Sequence, residues 1–257
     1  MSATLEPVVI PTDPAAISTQ QDWAAYSATE HAVWRVLYER RMPTLRRTAS
    51  RTFLGGLEAI GLDGEGVPDL ARVNAALERR TGWRAVPVTG FLPARAFFRS
   101  LEAREFPTAI TVRTPAQLDY VEAPDIFHDV FGHVPLHADP VFAEFLSRFG
   151  AIAARADAPV AVERLARLFW FTVEFGLVQE DAAVKVYGSG LISSHADAAN
   201  ALSDACERRP FSLEAVLAQP FVIDRLQDVL FVVRTFDDLR RALDQLEGLR
   251  GRRLLAG

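Results

Sequence analysis

The chain has 257 residues and 49% of them are hydrophobic, so it can form one large domain with a substantial core. Its formal net charge is −5 and it has no dense basic run, which argues against nucleic-acid binding, because phosphates require a basic patch. Its single cysteine, an N-terminus without signal-peptide features and the lack of a membrane-spanning apolar stretch predict a cytoplasmic protein without a membrane partner.

The periodicity of apolar residues predicts more helix than strand. Residues 1–20 predict a flexible N-terminal tail and residues 246–257 a C-terminal tail, on either side of a domain over 21–245. In chain order, helices are predicted after the capping box at Ser27–Glu30, over 45–60, over 69–80, after Asp139-Pro140, and from about Val160 through Glu174. Short strands are predicted at 84–89, 109–113, 184–187, 191–194 and 230–234. The sequence therefore predicts a mainly α domain with short β-strands.

Two histidines, His128 and His133, are the most informative residues of the chain. Residues five apart on a regular α-helix point roughly 140° apart, so these two would not share a face. Gly132 predicts a left-handed residue that ends the helix after His128, and Pro135 prevents the helix from resuming. This punctuation predicts that the chain turns back, so that both imidazoles face one metal ion.

A third metal ligand is predicted at Glu174, inside the run 168–177, which is apolar on nearly every side of a helix. A buried carboxylate is costly unless it is paired, hydrogen-bonded or bound to a metal. Two histidines and one carboxylate form the facial triad of non-haem Fe(II) oxygenases, and the same set also binds catalytic zinc. Interpretations without a metal stay open as well: ordinary helix-end histidines, with Glu174 paired to Arg164 or Arg167.

Three blocks of sequence surround these residues: P-D-I-F-H-D-V-F-G-H-V-P (124–135), W-F-T-V-E-F-G-L (170–177) and Y-G-S-G-L-I-S-S (187–194). They resemble motifs of the pterin-dependent aromatic amino acid hydroxylases, and the similarity runs from about Trp23 to about Leu239. The likeness is strongest to the short, single-domain bacterial branch. It implies a catalytic domain of that family's type, which hydroxylates phenylalanine to tyrosine with Fe(II), dioxygen and a tetrahydropterin. Tryptophan or tyrosine as substrate, and a zinc-dependent hydrolase, stay open as alternatives.

The resemblance also implies which residues bind the metal and the pterin. The implied iron ligands are His128, His133 and Glu174. Phe97 is implied to stack on the pterin ring, which suits an aromatic face that pairs with a flat heterocycle. The main chain at Gly90, Leu92 and Ala94 is implied to meet the edge of the pterin.

A further set of residues is implied to bind the amino acid substrate. Arg113 and Ser193 match the groups that hold the substrate carboxylate, and a guanidinium suits this task because it can bind a carboxylate through two hydrogen bonds. Pro124 and Trp170 match the walls of the pocket for the aromatic ring. Asp125 matches a carboxylate that orients a metal-binding imidazole.

The chain departs from the family pattern at three positions. His137 stands where an apolar residue is common and is predicted to be a spectator, not a ligand. Phe169 stands where many relatives have tyrosine, and Val121 where some have a hydroxylated residue that contacts the substrate. Larger members carry additional segments for effector control and tetramer assembly, so the likeness to the short branch predicts an unregulated monomer.

Overall fold

The computed structural model describes residues 18–90 and 92–248, so the predicted tails over 1–20 and 246–257 lie largely outside the described residues. The α-helices of these residues are α1 (Ala28–Thr48), α2 (Arg51–Ala59), α3 (Leu70–Thr81), α4 (Ala94–Glu102), α5 (Pro140–Ala154), α6 (Pro159–Phe169), α7 (Ser189–Ser193), α8 (His195–Ala201), α9 (Leu213–Ala218) and α10 (Phe236–Glu247). No helix in 18–90 or 92–248 combines the length and the apolar character needed to cross a membrane.

The strands are short and form two small sheets. The first pairs β1 (Arg84–Pro87) with β2 (Glu105–Thr108) in parallel. The second has the order β4-β3-β6-β5, built from β3 (Leu177–Glu180), β4 (Ala183–Val186), β5 (Glu207–Pro210) and β6 (Val229–Val233). β3 and β4 form an antiparallel hairpin, while β6 pairs in parallel with both β3 and β5. The predicted fold class, mainly α with short strands, is confirmed.

Local signals in the sequence located several helix starts well, but the helix predicted over 45–60 is wrong, because α1 continues past Pro43 to Thr48 and α2 begins at Arg51. Both arms of the capping box between Ser27 and Glu30 are present at the start of α1. Asp139 accepts hydrogen bonds from the main chain of Val141 and Phe142 at the start of α5. The predicted strands at 109–113 and 191–194 are wrong, because β2 ends at Thr108 and residues 191–194 form the end of α7 and the extended residue that caps α8. A short apolar run is compatible with either state, and contacts elsewhere in the fold decide it.

His137 is an unusual member of the hydrophobic core. Its side chain has no solvent exposure, and neither ring nitrogen has a hydrogen-bond partner within the described part of the chain. The imidazole stacks on Trp83 with ring centroids 4.7 Å apart, and Phe106 and Phe142 flank it. Burial therefore lowers the pKa of His137 well below its ordinary value, and the ring stays neutral.

Replacing His137 by phenylalanine is expected to raise the free energy of unfolding by about 1–3 kcal/mol at pH 7.5, because it removes a buried polar group without a partner. The gain should grow as the pH falls below about 6.5, the ordinary histidine value. There the unfolded wild-type chain binds a proton that the folded chain refuses, so folding loses up to about 1.4 kcal/mol per pH unit. Urea unfolding of both proteins at pH 7.5 and pH 5.5 checks this. An equal difference at the two pH values would contradict it.

Candidate metal and substrate site

The two histidines lie on one π-helical segment, Phe127–His133. Because a π-helix closes its hydrogen bonds between residues i and i+5, His128 and His133 lie one turn apart on the same side. Their rings are nearly perpendicular, with centroids 5.2 Å apart. The predicted helix break is wrong, since Gly132 does not have a positive φ and the helical path continues into a 3-10 turn, Val134–Ala138. The predicted convergence of the two imidazoles is present, and its cause is a change of helix type.

Glu174 ends a second π-helical turn, Trp170–Glu174, which follows α6 directly. The main-chain N–H of Phe175 donates to the carbonyl of Trp170 at 2.8 Å, the i→i+5 bond of such a turn. The turn directs the carboxylate toward the histidines. Its Oε1 lies 3.2 Å from Nε2 of His133, and its Oε2 lies 3.7 Å from Nε2 of His128.

These three side chains fit one metal ion. Their ligand atoms all lie within 4.8 Å of one another, and no other His, Cys, Asp or Glu of the described residues joins the group. Two ligands at right angles, each about 2.1 Å from an ion, lie about 3 Å apart, which is close to the 3.2 Å between Glu174 and His133. Two imidazole nitrogens and one carboxylate oxygen suit iron or zinc and leave further coordination positions for small molecules.

The charge state of the cluster also suits a metal. Burial raises the pKa of Glu174, but His133, His128 and a hydrogen bond from Ser189 outweigh it and bring the pKa to about 2. The pKa of the His128 imidazole is lowered to about 4, and burial is the largest cause of this shift. At neutral pH an anionic carboxylate therefore faces the neutral His128 imidazole, and these are the forms that bind a metal.

The short helix α7 fixes the ring of His128. The Oγ of Ser193 lies 2.9 Å from Nδ1 of His128, and it also donates to the main-chain carbonyl of Ser189 at 2.9 Å. Because the hydroxyl has one proton and the carbonyl can only accept, Ser193 accepts from an N–H at Nδ1. Nε2 of His128 is then left without a proton and faces Glu174. The predicted role of Ser193 at a substrate carboxylate stays a prediction, and its contact in the structure is with this imidazole.

Two features hold α7 this close to the cluster. A Cβ at position 188 would approach the carbonyl oxygen of Glu174 to 2.4 Å, so only glycine fits at this position beside the Glu174 main chain. From α1, the buried side chain of Arg41 donates through Nη2 to the carbonyl of Leu191 and through Nε to that of Ile192, at 2.9 and 2.8 Å. A cation at the C-terminal end of a helix satisfies its unpaired carbonyls and its dipole.

Asp125 and Arg113 form a buried ion pair beside the histidines. Nε and Nη2 of Arg113 each lie 2.8 Å from an oxygen of Asp125, and the two side chains are 8% and 3% exposed. Asp125 also accepts from the main-chain N–H of His128 at 3.1 Å. The carboxylate therefore holds the main chain at His128 and not its ring, whose Nδ1 faces Ser193.

A cavity of about 810 Å³ opens beside the cluster, which is a size typical of small-molecule sites. His128 and Glu174 line it together with all four predicted substrate residues, Arg113, Pro124, Trp170 and Ser193. Trp170 forms a fixed wall, because its ring stacks on Phe221 with centroids 4.5 Å apart and its Nε1 donates to Gln227. The predicted metal and substrate residues are therefore brought together.

The predicted pterin residues are not brought to the same surface. None of Gly90, Leu92, Ala94 and Phe97 is among the described residues that line this cavity. Gly90 is exposed with φ +80°, and Phe97 is half-buried with its ring edge-to-face against Phe106. Phe106 in turn packs on His133, with ring centroids 4.5 Å apart. One aromatic ring thus separates Phe97 from the cluster, and its role at the pterin stays a prediction.

Some residues of the site were not singled out from the sequence. Asp129, next to His128, accepts from the main-chain N–H of Ala109 at 2.7 Å, and burial raises its pKa to about 7. A carboxylate between two candidate ligands was a signal that could have identified it. Ser189 and Arg41 had no such signal, because their contacts join segments far apart in the sequence.

Comparison with known proteins points to one family. The family model described as biopterin-dependent aromatic amino acid hydroxylase matches residues 19–248. The phenylalanine-4-hydroxylase of Caulobacter vibrioides is 43% identical over 86% of this chain and 75% of its own length, and that of Ralstonia nicotianae is 42% identical over 83% and 69%. A structure of Chromobacterium violaceum phenylalanine hydroxylase with bound iron(III) and 7,8-dihydrobiopterin is 38% identical, with a TM-score of 0.87, covering 93% of this chain and 85% of that one.

Proposed function

This chain belongs to the family of biopterin-dependent aromatic amino acid hydroxylases, and on that premise we propose that it converts L-phenylalanine to L-tyrosine. The observation that carries the proposal is the cluster of His128, His133 and Glu174, of which His128 and Glu174 line a cavity of substrate size. The co-substrates we propose are dioxygen and a tetrahydropterin, with Fe(II) as the resident metal. The similarity to hydroxylases that act on phenylalanine supports this substrate over tyrosine or tryptophan.

Each residue of the cluster has a defined task in this proposal. His128, His133 and Glu174 hold the iron, which together with the reduced pterin supplies the reductive activation of dioxygen. Ser193 keeps Nε2 of His128 unprotonated, and Asp125 fixes the main chain from which that ring projects. The protein thus provides a rigid three-ligand face and leaves the other positions around the ion to the reactants.

The cavity walls hold the substrate in this proposal. Arg113 uses Nε and Nη2 for Asp125, and Nη1 takes no part in that pair, so it can meet the substrate carboxylate. Pro124 and the fixed ring of Trp170 flank the space for the aromatic side chain. Holding the ring beside the metal converts an encounter in solution into a reaction within one complex.

The proposal is tested by aerobic incubation of the Fe(II)-loaded protein with phenylalanine and a tetrahydropterin. We expect tyrosine to form, and no tyrosine to form when the pterin is omitted or when Zn(II) replaces Fe(II). Parallel reactions with tryptophan and tyrosine test the other family substrates. Turnover of either in preference to phenylalanine would overturn the proposed substrate, and hydrolytic activity of the Zn(II) protein without pterin would favour a zinc hydrolase.

We further propose that the enzyme acts as a monomer in the cytoplasm. The buried, unpaired Cys206 and the need of Fe(II) for a reducing compartment support the cytoplasm, and the likeness to the short, single-domain branch of the family supports the monomer. Sedimentation of the Fe(II)-loaded protein at several concentrations tests the monomer, and a mass that rises with concentration would contradict it.

A further inference from the structure

The hydroxyl of Ser189, the first residue of α7, contacts the carboxylate of the metal cluster. Ser189 is buried, and its Oγ lies 2.6 Å from Oε2 of Glu174. The other acceptor near this hydroxyl, the carbonyl of Val173, lies at 3.5 Å. Because the carboxylate is ionised and much nearer, the single proton of Ser189 points at Oε2. A distance of about 2.6 Å is that of a charge-assisted O–H···O⁻ bond, which is about twice as strong as a neutral one.

This hydrogen bond makes the two oxygens of Glu174 different. Oε1 faces Nε2 of His133 at 3.2 Å, within the range for two adjacent ligands of one ion. Oε2 lies farther from its imidazole, 3.7 Å from Nε2 of His128, and has one of its acceptor directions occupied by Ser189. Carboxylates bind metals through one oxygen or through both. Serine donation to Oε2 favours attachment through Oε1 alone.

Ser189 cannot move away from Glu174 at low cost. Its Cβ and carbonyl oxygen each lie 3.1 Å from the place where a Cβ at Gly132 would stand, so the π-helical segment confines it on one side. Its carbonyl accepts from Ser193, which ties it to the residue that orients His128. The donor is therefore fixed before any metal binds.

We propose that Ser189 is a positioning residue that restricts Glu174 to one-oxygen attachment and thereby keeps a coordination position of the metal open for the reactants. This inference rests on the proposed function only for the identity of those reactants. Without Ser189, the carboxylate can rotate so that both oxygens face the ion, which closes the open position. The role is distinct from that of Ser193, whose contact is with His128.

The test compares Ser189→Ala with the wild type in the Co(II)-loaded protein, because Co(II) reports its coordination through its visible spectrum. Ser100→Ala is the matched control: Ser100 is also a buried serine, and within 18–90 and 92–248 its hydroxyl bonds to the carbonyl of Ala96 in its own helix and not to the metal cluster. We expect Ser189→Ala to have an altered Co(II) spectrum and to bind azide, a small-anion probe of the open position, more weakly than the wild type, because the second oxygen of Glu174 then occupies that position. Ser100→Ala should change none of these.

The outcomes separate this inference from the proposed function. If Ser189→Ala binds azide as the wild type does, with the same Co(II) spectrum, the inference is overturned. A Co(II)-loaded crystal structure of Ser189→Ala with both oxygens of Glu174 bound to the ion would support it directly, and Ser189→Cys, which keeps a weak donor, should give intermediate values. A wild-type protein that binds Co(II) at this cluster yet forms no tyrosine would refute the proposed function and leave this test intact.

Discussion

Replacing His133 by alanine should abolish iron binding and tyrosine formation while the domain stays folded. The side chain is 3% exposed, and its Nε2 faces Oε1 of Glu174 at 3.2 Å, so alanine removes one ligand of the proposed three. The loss of metal affinity should exceed the roughly 10–100-fold that removal of an outer hydrogen-bond partner causes. Metal analysis after dialysis against Fe(II), with tyrosine formation measured on the same sample, gives both readouts.

His137→Ala provides the matched control for this prediction. His137 is also a buried histidine four residues further on, it contacts the same Phe106 ring, and it lies outside the metal cluster. Both alanine variants leave a cavity in the core, so both should lower the melting temperature. Only His133→Ala should lose the metal. Near-normal turnover by His133→Ala, or equal metal loss in both variants, would contradict the ligand assignment.

The identities of the clustered residues were accessible from the sequence, and the geometry that clusters them was not. A carboxylate inside an apolar run and two histidines near a helix end carry the chemistry in their residue types alone. A spacing of five, interpreted with α-helical geometry, required a helix break at Gly132. The structure uses i→i+5 bonds instead, and Gly132 lies close to Ser189, whose atoms a Cβ at position 132 would approach to 3.1 Å. Packing of distant segments selects that helix type, so local periodicity could not reveal it.

The contacts that hold the cluster in place could not be predicted from the sequence, for the same reason. Leu191 and Ile192 favour a strand by residue type alone, yet they lie in a helix that ends at Ser193, and Arg41 donates to the carbonyl of Ile192. Arg41 reaches Ile192 across 151 positions, and no spacing pattern connects them. Local start signals such as the Ser27–Glu30 capping box were predicted correctly, because every atom involved lies within four residues.

The second large effect is expected for Arg113→Ala, which should impair both substrate binding and folding. Loss of a charge-assisted contact to the substrate carboxylate should raise KM for phenylalanine about 10–100-fold, with a smaller change in kcat, because this contact is alike in the ground and transition states. The structure adds a second effect. Asp125, 3% exposed, would be left without its cation, and breaking such a buried pair costs about 3–5 kcal/mol of folding free energy.

Removing both charges separates the two effects. The double variant Arg113→Met with Asp125→Leu no longer buries an unpaired charge, so it should recover much of the stability that Arg113→Ala loses. It still lacks the guanidinium, so KM for phenylalanine should stay high. Asp125 also accepts from the main-chain N–H groups of His128 and Arg113, so recovery should be incomplete by about 1–3 kcal/mol for each of these two donors that is left unpaired. Urea unfolding and steady-state kinetics on the three proteins measure both quantities. A wild-type KM in folded Arg113→Ala would remove Arg113 from the carboxylate site and leave it only its structural role, as the partner of Asp125.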